Sequence, residues 1–300
     1  MGKILFKALA ILCAVTVLVI PLDISAQYEN EEITKEITDI CSLIASIHKK
    51  PAEAVRIMSY NIQAEGRIYG GTPCESRQNG LTAVLREISP DILCLQEVCR
   101  EWFTIINMNT DYTAVNSMET EIAELMTVMY YNEKTTELKE WGDEFFDKGG
   151  DYRMRRAVWG LFRMKDSGSL VCVVNTHFNV TKDTNNYSGA QAMTLISVIE
   201  NLRQKFTCPI FIVGDFNAKR RTTVTYPSSS IYEILTSHFT DTSLVAEAFS
   251  AGDVNTKPTS TVDHIFFTGD PRIIRYVILS NKVFLNISDH YPIFIDATHQ

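Results

Sequence analysis

The sequence predicts one α/β domain over residues 52–300. Short apolar runs typical of buried strands alternate along the chain with amphipathic helical stretches. No Pro- or Ser-rich linker divides this region, and no repeat occurs in it. Several strand-like runs end in polar side chains, at the position where open α/β sheets bind their ligands. The composition, with 45% apolar and 21% charged residues, is that of a globular protein.

Residues 1–26 have the layout of a secretory signal peptide. Lys3 and Lys7 precede an apolar run over residues 8–22, and Ala26 offers a small residue at the cleavage position. The run is shorter than the ~20 residues that span a bilayer comfortably. The sequence therefore predicts a secreted protein, and an uncleaved membrane anchor is the alternative.

The net charge and the cysteines narrow the functional classes. A formal charge of −8 argues against a protein that holds nucleic acid on a broad basic surface. It leaves room for an enzyme that binds phosphate esters through metal ions. The cysteines that remain after removal of the signal peptide permit disulfides, but the sequence chooses no pairing. Cys94 and Cys172 fall within strand-like runs, where buried thiols are at least as common.

The first elements follow from the spacing of apolar residues. Residues 27–51 predict an amphipathic helix, because apolar residues recur at three- and four-residue steps from Ile33 to Ile47 and Pro51 ends the pattern. Residues 55–61 predict a strand that ends on an amide. A second helix follows, and residues 91–97 then predict a buried strand that ends on an acid.

Strands dominate the rest of the chain. They are predicted at residues 112–115, 125–131, 135–141, 157–164, 170–178, 209–213, 261–267, 273–279 and 288–295. The second and third of these strands are predicted to form one hairpin, and the fourth and fifth another. A third helix, from Met193 to Leu202, precedes the strand at residues 209–213. Two short helical segments after that strand reach Phe249.

Polar side chains gather at the ends of these strands. Asp215 and Asn217 follow the buried run at residues 209–213, and they emerge on one face if the strand geometry continues. Alone, an acid and an amide here are ordinary turn residues. The pattern recurs at other strands, and the full set is Asn61, Glu97, His177, Asp215, Asn217, Asp263, His264, Asp289 and His290.

This set suits phosphoester chemistry with a metal ion. The carboxylates of Glu97 and Asp289, together with amide oxygens, are hard ligands typical of Mg²⁺, Mn²⁺ or Ca²⁺ rather than zinc. Histidines beside such a cation stabilise or protonate charge on a phosphoryl oxygen, and a carboxylate orients a histidine or an attacking water. The sequence contains neither a Gly-rich phosphate loop nor a Gly-x-Ser-x-Gly motif.

Six segments resemble, in order, the motifs of the endonuclease/exonuclease/phosphatase superfamily, which includes deoxyribonuclease I, abasic-site endonucleases, neutral sphingomyelinases and inositol polyphosphate phosphatases. They are Met58-Ser59-Tyr60-Asn61, Pro90-Asp91-Ile92-Leu93-Cys94-Leu95-Gln96-Glu97, Asn175-Thr176-His177, Gly214-Asp215-Phe216-Asn217, Val262-Asp263-His264-Ile265 and Ser288-Asp289-His290. The resemblance runs from Arg56 to about Ile295. It implies a four-layered α/β sandwich, with two mixed β-sheets packed face to face and helices outside.

The resemblance also implies the residues that hold the metal and the substrate. Glu97 is the principal metal ligand, helped by Asn61 and Asp289, and the expected ion is Mg²⁺, with Mn²⁺ or Ca²⁺ as alternatives. Asn61 also belongs to the expected substrate-binding residues. Two others are His264, which contacts phosphate or merely packs, and Arg156, which lies in a strand similar to one of the family's.

The expected catalytic residues complete the resemblance. Asp215 positions or deprotonates the attacking water, and Asn217 holds a phosphate oxygen. His177 and His290 neutralise the pentavalent phosphorus, with His290 oriented by Asp263.

The implied function is that of a secreted, divalent-metal-dependent phosphoesterase. It is expected to hydrolyse phosphodiester bonds by in-line attack of activated water, on nucleic acid as in nucleases or on a phospholipid headgroup as in sphingomyelinases. One alternative is a phosphomonoesterase of the same superfamily. Another is a non-catalytic secreted binding protein on the same scaffold. The protein is expected to be a monomer without an obligate protein partner.

Overall fold

The computed structural model describes residues 24–64, 72–116, 126–146, 155–180, 187–220 and 227–299. The elements of these residues, in chain order, are α1 (Ile24–Ile47), β1 (Val55–Asn61), α2 (Cys74–Ile88), β2 (Ile92–Val98), α3 (Arg100–Asn109), β3 (Tyr112–Ala114), β4 (Met126–Asn132), β5 (Thr136–Phe145), β6 (Arg156–Met164), β7 (Leu170–His177), α4 (Tyr187–Lys205), β8 (Ile210–Asp215), α5 (Pro227–His238), β9 (Thr240–Asp241), α6 (Thr242–Val245), β10 (Ala248–Ala251), β11 (Asp263–Thr268), β12 (Pro271–Ile278), a short 3₁₀ helix (Lys282–Asn286) and β13 (Ile293–His299).

The strands form two mixed sheets. The seven-stranded sheet has the order β10-β12-β13-β1-β2-β4-β3, and the six-stranded sheet has the order β5-β6-β7-β8-β11-β9. Apolar side chains from the facing sides of both sheets share one core, which continues under α1, α2 and α3. A second apolar cluster lies between the six-stranded sheet and helices α4 and α5. The predicted four-layered α/β sandwich is therefore confirmed.

Strand direction brings the predicted polar motifs to one end of the sandwich. β1 is parallel to β2, and β7 is parallel to β8, so the carboxyl ends of the strands in each pair coincide. β13 and β11 run antiparallel to β1 and β8, so these two strands begin where the others end. In the register of the second sheet, Asp215 lies between His177 and Asp263.

The predicted hairpin over residues 125–141 is wrong. β4 pairs with β2 and β3 in the seven-stranded sheet, whereas β5 pairs with β6 in the six-stranded sheet. The short turn between them, with Thr135 N–H donating to Asn132 O, therefore carries the chain from one sheet to the other. A tight turn between two strand-like runs does not show whether those strands pair.

Two other elements differ from the prediction. Helix α3 was not predicted, although Trp102, Ile105 and Ile106 form its buried side. Residues 288–290 precede β13 rather than forming its start. Pro292 has no N–H to donate to a sheet ladder, and this is consistent with a strand that begins only at Ile293.

Helix α1 corresponds to the predicted amphipathic helix at residues 27–51. Ile37 and Cys41 are fully buried, but Leu43 and Ile47 are more than half exposed, so the buried stripe is narrower than the apolar spacing predicts. Most of the predicted signal peptide, residues 1–23, lies outside the described part of the chain. None of the helices within the described part is long and apolar enough to cross a membrane.

The described cysteines include several buried thiols. Cys41, Cys94 and Cys172 are buried in the apolar clusters, and burial raises the pKa of the Cys41 thiol to about 12. The Sγ atoms of Cys74 and Cys99 face each other at 3.4 Å.

A buried ion cluster stabilises the opposite end of the sandwich. Arg56 Nε donates to Asp296 Oδ1 at 2.7 Å, and Arg275 Nε lies 3.0 Å from Asp296 Oδ2. Arg56 Nη2 also donates to the His48 carbonyl, just after α1. The carboxylate of Asp296 is fully buried, so it is the counter-charge for the buried guanidinium of Arg56 and the partly exposed guanidinium of Arg275.

We predict that Asp296→Asn lowers the free energy of unfolding by about 3–5 kcal/mol, because it leaves two guanidinium groups without their buried partner. Urea denaturation followed by circular dichroism measures this loss. Asp111→Asn is the matched control, since Asp111 pairs with Lys134 on the exposed surface, and we expect no measurable change there. Equal effects of the two substitutions would contradict a structural role for the buried cluster.

Candidate active site

The candidate site is centred on Asp215, the last residue of β8. Gly214 precedes it with φ = +152°, and a Cβ atom there would lie 2.0 Å from the backbone oxygen of Thr176. Only glycine allows β7 and β8 to approach this closely. The close approach places His177, at the end of β7, directly beside Asp215.

The Asp215 carboxylate contacts polar groups from four strand ends or their adjacent loops. Its Oδ2 accepts a hydrogen bond from Asn61 Nδ2 at 3.1 Å and lies 3.4 Å from His177 Nε2 and 3.7 Å from His290 Nε2. Its Oδ1 accepts from the Asn217 backbone N–H at 2.9 Å. Residues from both sheets thus contact the same carboxylate, that of Asp215, which is 1% exposed.

These contacts keep the Asp215 carboxylate ionised. Burial by itself raises the pKa of a carboxyl group. The two histidine rings and the Asn217 backbone N–H outweigh burial and hold the pKa of Asp215 well below its usual range. A buried carboxylate that remains unprotonated is able to orient a water molecule or accept its proton.

His290 is oriented by Asp263, the first residue of β11. Asp263 Oδ2 lies 2.8 Å from His290 Nδ1, and Oδ1 lies 3.1 Å from the same nitrogen. Burial lowers the pKa of His290, but Asp263 and Asp215 outweigh this effect and raise the pKa to about 9. His290 is therefore an imidazolium at neutral pH, and its Nε2 faces Asp215.

His177 has the opposite electrostatic character. Burial and the nearby Arg155 guanidinium lower its pKa more than Asp215 and Glu97 raise it. Its Nε2 lies 3.3 Å from Asn217 Nδ2, which also donates to the Phe178 carbonyl. The site thus pairs a neutral imidazole with a charged one, on either side of one carboxylate.

Asn217 reaches His177 through a turn rather than a continued strand. Its φ is +48°, a left-handed conformation that asparagine tolerates better than most residues. The N–H of Asn217 bonds to the preceding Asp215 side chain, as in an Asx turn. The strand geometry therefore ends at Asp215 and does not continue through Asn217, although both side chains reach the site.

Asn61 and Glu97 lie together next to this cluster. Asn61 Nδ2 donates to Glu97 Oε1 at 3.1 Å, and Ala64 N–H donates to Glu97 Oε2 at 3.2 Å. Glu97 has φ = +59°, and a strained backbone of this kind is common at functional sites. Hydrogen bonds from Asn61 and from the Ala64 N–H hold the Glu97 carboxylate in place.

The third predicted metal ligand has a different environment. Asp289 is about half exposed, and its Oδ2 forms an ion pair with Lys257 Nζ at 2.6 Å. Its Oδ1 lies 4.0 Å from His290 Nε2. Asp215, Asp263 and His290 form a second possible metal-binding group, because one side-chain oxygen or nitrogen atom from each residue lies within 4.8 Å of the other two.

The donor types suit a hard divalent cation, because carboxylate and amide oxygens such as those of Asn61, Glu97 and Asp289 are typical ligands for Mg²⁺, Mn²⁺ or Ca²⁺. The contacts of the described residues join Asn61 to Glu97, whereas Asp289 pairs with Lys257. Glu97 suits the principal role because its carboxylate is only partly buried and is held by hydrogen bonds from uncharged groups. Asp263 suits it less, since its two oxygens already face His290.

Two predicted substrate-binding residues lie outside the Asp215 cluster. His264 alternates with Asp263 along β11 and so lies on the other face of the sheet, where its Nε2 is 2.8 Å from the Ala218 carbonyl and its ring packs on Tyr232. Arg156 pairs with Asp143 at 2.7 Å and lies over the Phe145 ring. The geometry thus gives His264 a packing role, and the ion pair of Arg156 with Asp143 joins β6 to β5.

Ser288 and Arg77, which are not among the predicted site residues, hold the backbone around the site in place. Ser288 Oγ donates to the Asn61 carbonyl at 2.6 Å and accepts from His290 N–H. Arg77, on α2, donates to the carbonyls of Ile62 and Ile287 and so joins the segments that follow β1 and precede β13. The signal for Arg77 in the sequence is an arginine at the spacing of the apolar side of α2, four residues before Leu81.

We predict that His290 of the metal-free protein keeps its proton up to pH about 9, and that Asp263→Asn lowers this pKa. NMR titration of the imidazole resonances, assigned with His290→Ala, measures both values. The raised pKa also stabilises the fold. This contribution is present below the unfolded-state pKa of about 6.5 and is lost as the pH rises through about 9. A His290 pKa near 6.5 in both proteins would contradict the assignment.

Comparisons with known proteins identify a family for this chain. Residues 58–290 match the Endonuclease/Exonuclease/phosphatase family. Human Nocturnin is 27% identical over 134 residues, which are 44% of this chain and 28% of that protein. The chain therefore matches less than a third of the length of this relative.

Solved structures share the fold at low sequence identity. An endonuclease/exonuclease/phosphatase from Bacteroides vulgatus has a TM-score of 0.69 and 19% identity, over 82% of this chain and 99% of that one. A mannosyl-6-phosphatase from Bacteroides thetaiotaomicron has a TM-score of 0.67 and 20% identity, over 82% and 100%. The human Nocturnin catalytic domain with bound sulfate has a TM-score of 0.66 and 18% identity, over 84% and 96%.

The family match covers most of the chain and includes the polar residues of all six motifs. Members of this family are hydrolases that act on phosphoester bonds and generally use a divalent metal ion. The chain belongs to the endonuclease/exonuclease/phosphatase family.

Proposed function

We propose that the protein is a divalent-metal-dependent phosphoesterase that hydrolyses its substrate by in-line attack of water. The observation that carries this proposal is the buried Asp215 carboxylate, which lies between a neutral and a charged histidine and contacts Asn61 beside Glu97. A scaffold used only for binding does not need this arrangement, since it places an ionised group in a buried position at an energetic cost.

Each residue of the cluster has a distinct role in the proposed reaction. Asp215 orients the attacking water and accepts its proton. His177 and Asn217 bind the phosphoryl oxygens, and the protonated His290 stabilises the negative charge that develops there. Asp263 holds His290 in its charged form and fixes its ring orientation.

The proposed metal ion is held by Glu97, Asn61 and Asp289. When bound, it supplies positive charge that polarises the phosphoryl group. Mg²⁺ is the ion we propose, and Mn²⁺ and Ca²⁺ offer the same preference for oxygen ligands.

The substrate is either a phosphodiester or a phosphomonoester. The sequence-based expectation was a phosphodiester of nucleic acid or of a phospholipid headgroup, with a phosphomonoester as the alternative. One neighbour in fold is described as a mannosyl-6-phosphatase, a name that refers to a phosphomonoester. The name of this neighbour supports phosphomonoesters as a substrate class on the same footing as phosphodiesters.

We predict that Glu97→Gln weakens Mg²⁺ or Mn²⁺ binding at least tenfold and removes most activity, because a neutral amide replaces the principal ligand. Isothermal titration with each metal reports binding independently of turnover. Glu137→Gln is the control, since Glu137 lies on β5 and pairs with Lys139 on the surface. Full turnover by the wild-type protein in excess EDTA would contradict the proposed metal dependence.

We also propose that the protein is exported from the cell and is a monomer. The charged segment, apolar run and Ala26 at the amino terminus support cleavage after Ala26. Mass spectrometry of the protein from its native host is expected to show an amino terminus at Gln27. An intact Met1 terminus in the membrane fraction would instead show an anchor.

A further inference from the structure

Lys257 lies at the candidate active site, and the proposed reaction does not use it. It belongs to the loop between β10 and β11, and its ammonium lies 2.6 Å from Asp289 Oδ2. Its backbone N–H bonds to the Ser260 carbonyl at 2.8 Å, within a tight turn. The side chain is 31% exposed, so it contacts the site while remaining accessible to a ligand.

The loop that carries Lys257 is fixed to the catalytic segments by its neighbour Thr256. The buried Thr256 hydroxyl accepts from the N–H groups of Val262 and Asp263, both at 3.1 Å. Its carbonyl accepts from Tyr291 N–H at 2.7 Å. One residue thus joins the chain just before Asp263 to the chain just after His290, and Lys257 is adjacent to this junction.

Lys257 places a cation beside the cluster, because a lysine side chain is protonated at neutral pH. Its ammonium pairs with Oδ2 of Asp289, and Oδ1 of the same carboxylate lies 4.0 Å from His290 Nε2. The positive charge is thus separated from His290 by a single carboxylate.

The two classes of phosphate ester differ in charge. Above its second pKa of about 6, a phosphomonoester is mostly a dianion, whereas a diester is a monoanion. The site already contains carboxylates, namely those of Glu97, Asp215, Asp263 and Asp289, and these repel the second charge of a monoester. An additional fixed cation therefore favours the monoester more than the diester.

We propose that Lys257 binds a non-bridging phosphoryl oxygen of the substrate and makes the site prefer phosphomonoesters to phosphodiesters. This inference rests on the proposed function, since it names the substrate class of the same site. The ammonium has N–H donors beyond the one directed at Asp289, and these are available to the phosphate.

Kinetics with two matched aryl esters test this inference. The substrates are 4-nitrophenyl phosphate and bis(4-nitrophenyl) phosphate, at pH 8 with saturating Mg²⁺. Lys257→Met is expected to lower kcat/KM for the monoester by about 10- to 100-fold, as for loss of one charge-assisted hydrogen bond. The loss for the diester is expected to be severalfold smaller, and Lys257→Arg is expected to restore most of the monoester activity.

Ligand binding gives a second readout that is independent of turnover. Inorganic phosphate and dimethyl phosphate are titrated as the dianionic and monoanionic probes. Lys257→Met is expected to weaken phosphate binding and to leave dimethyl phosphate binding nearly unchanged. Lys134→Met is the control, because Lys134 pairs with Asp111 on the exposed surface, and it is expected to behave like the wild type.

The outcomes separate this inference from the function on which it rests. Wild-type turnover with no effect of Lys257→Met, or with equal losses on both esters, would overturn the role of Lys257 and leave the phosphoesterase in place. No metal-dependent turnover of any phosphate ester by the wild type would overturn the proposed function itself.

Discussion

The burial of the ionised Asp215 carboxylate is the constraint on which the rest of the site depends. A buried charge is costly unless it is paired and hydrogen-bonded, and here the partners come from both sheets. Asn61 comes from the seven-stranded sheet, His177 from the neighbouring strand of the other sheet, and His290 from the loop before β13. The sandwich must close correctly for this charge to be satisfied.

The fold provides these partners because of how its strands alternate in direction. Parallel pairs end at the site, and their antiparallel neighbours begin there, so short segments bring many polar groups together. Gly214 allows the closest of these approaches. Arg77, Ser288 and Thr256 then tie the loops to one another through backbone groups. The positions of the polar groups around Asp215 therefore depend on residues outside this cluster.

The two histidines of the site differ in their protonation state. The same Asp215 contacts both rings, yet Asp263 makes His290 a cation while burial and Arg155 keep His177 neutral. The candidate site therefore contains one cationic imidazole and one neutral imidazole, which suits them to the different roles proposed for His290 and His177. Lys257 adds a further cation at the accessible side, next to Asp289.

The sequence predicted the strands and most of the site because both leave local patterns. Buried strands are apolar runs, and the polar residues of the site, the first of which is Asn61 and the last His290, lie at or next to the strand ends. What the sequence missed depends on tertiary pairing. The turn at Asn132 does not show that β4 and β5 enter different sheets, and the alternation that turns His264 away from Asp215 depends on where β11 begins. Lys257 lies in a polar loop that carries no periodicity.

The central claim is that water held by Asp215 attacks phosphorus directly, and the stereochemistry at phosphorus tests this claim. The measurement uses a 4-nitrophenyl phosphorothioate made chiral with oxygen isotopes and hydrolysed in isotopically labelled water. A single in-line attack predicts inversion of configuration, with the solvent oxygen in the thiophosphate product. Retention of configuration would instead show two successive displacements through a covalent enzyme intermediate, and it would contradict the role assigned to Asp215.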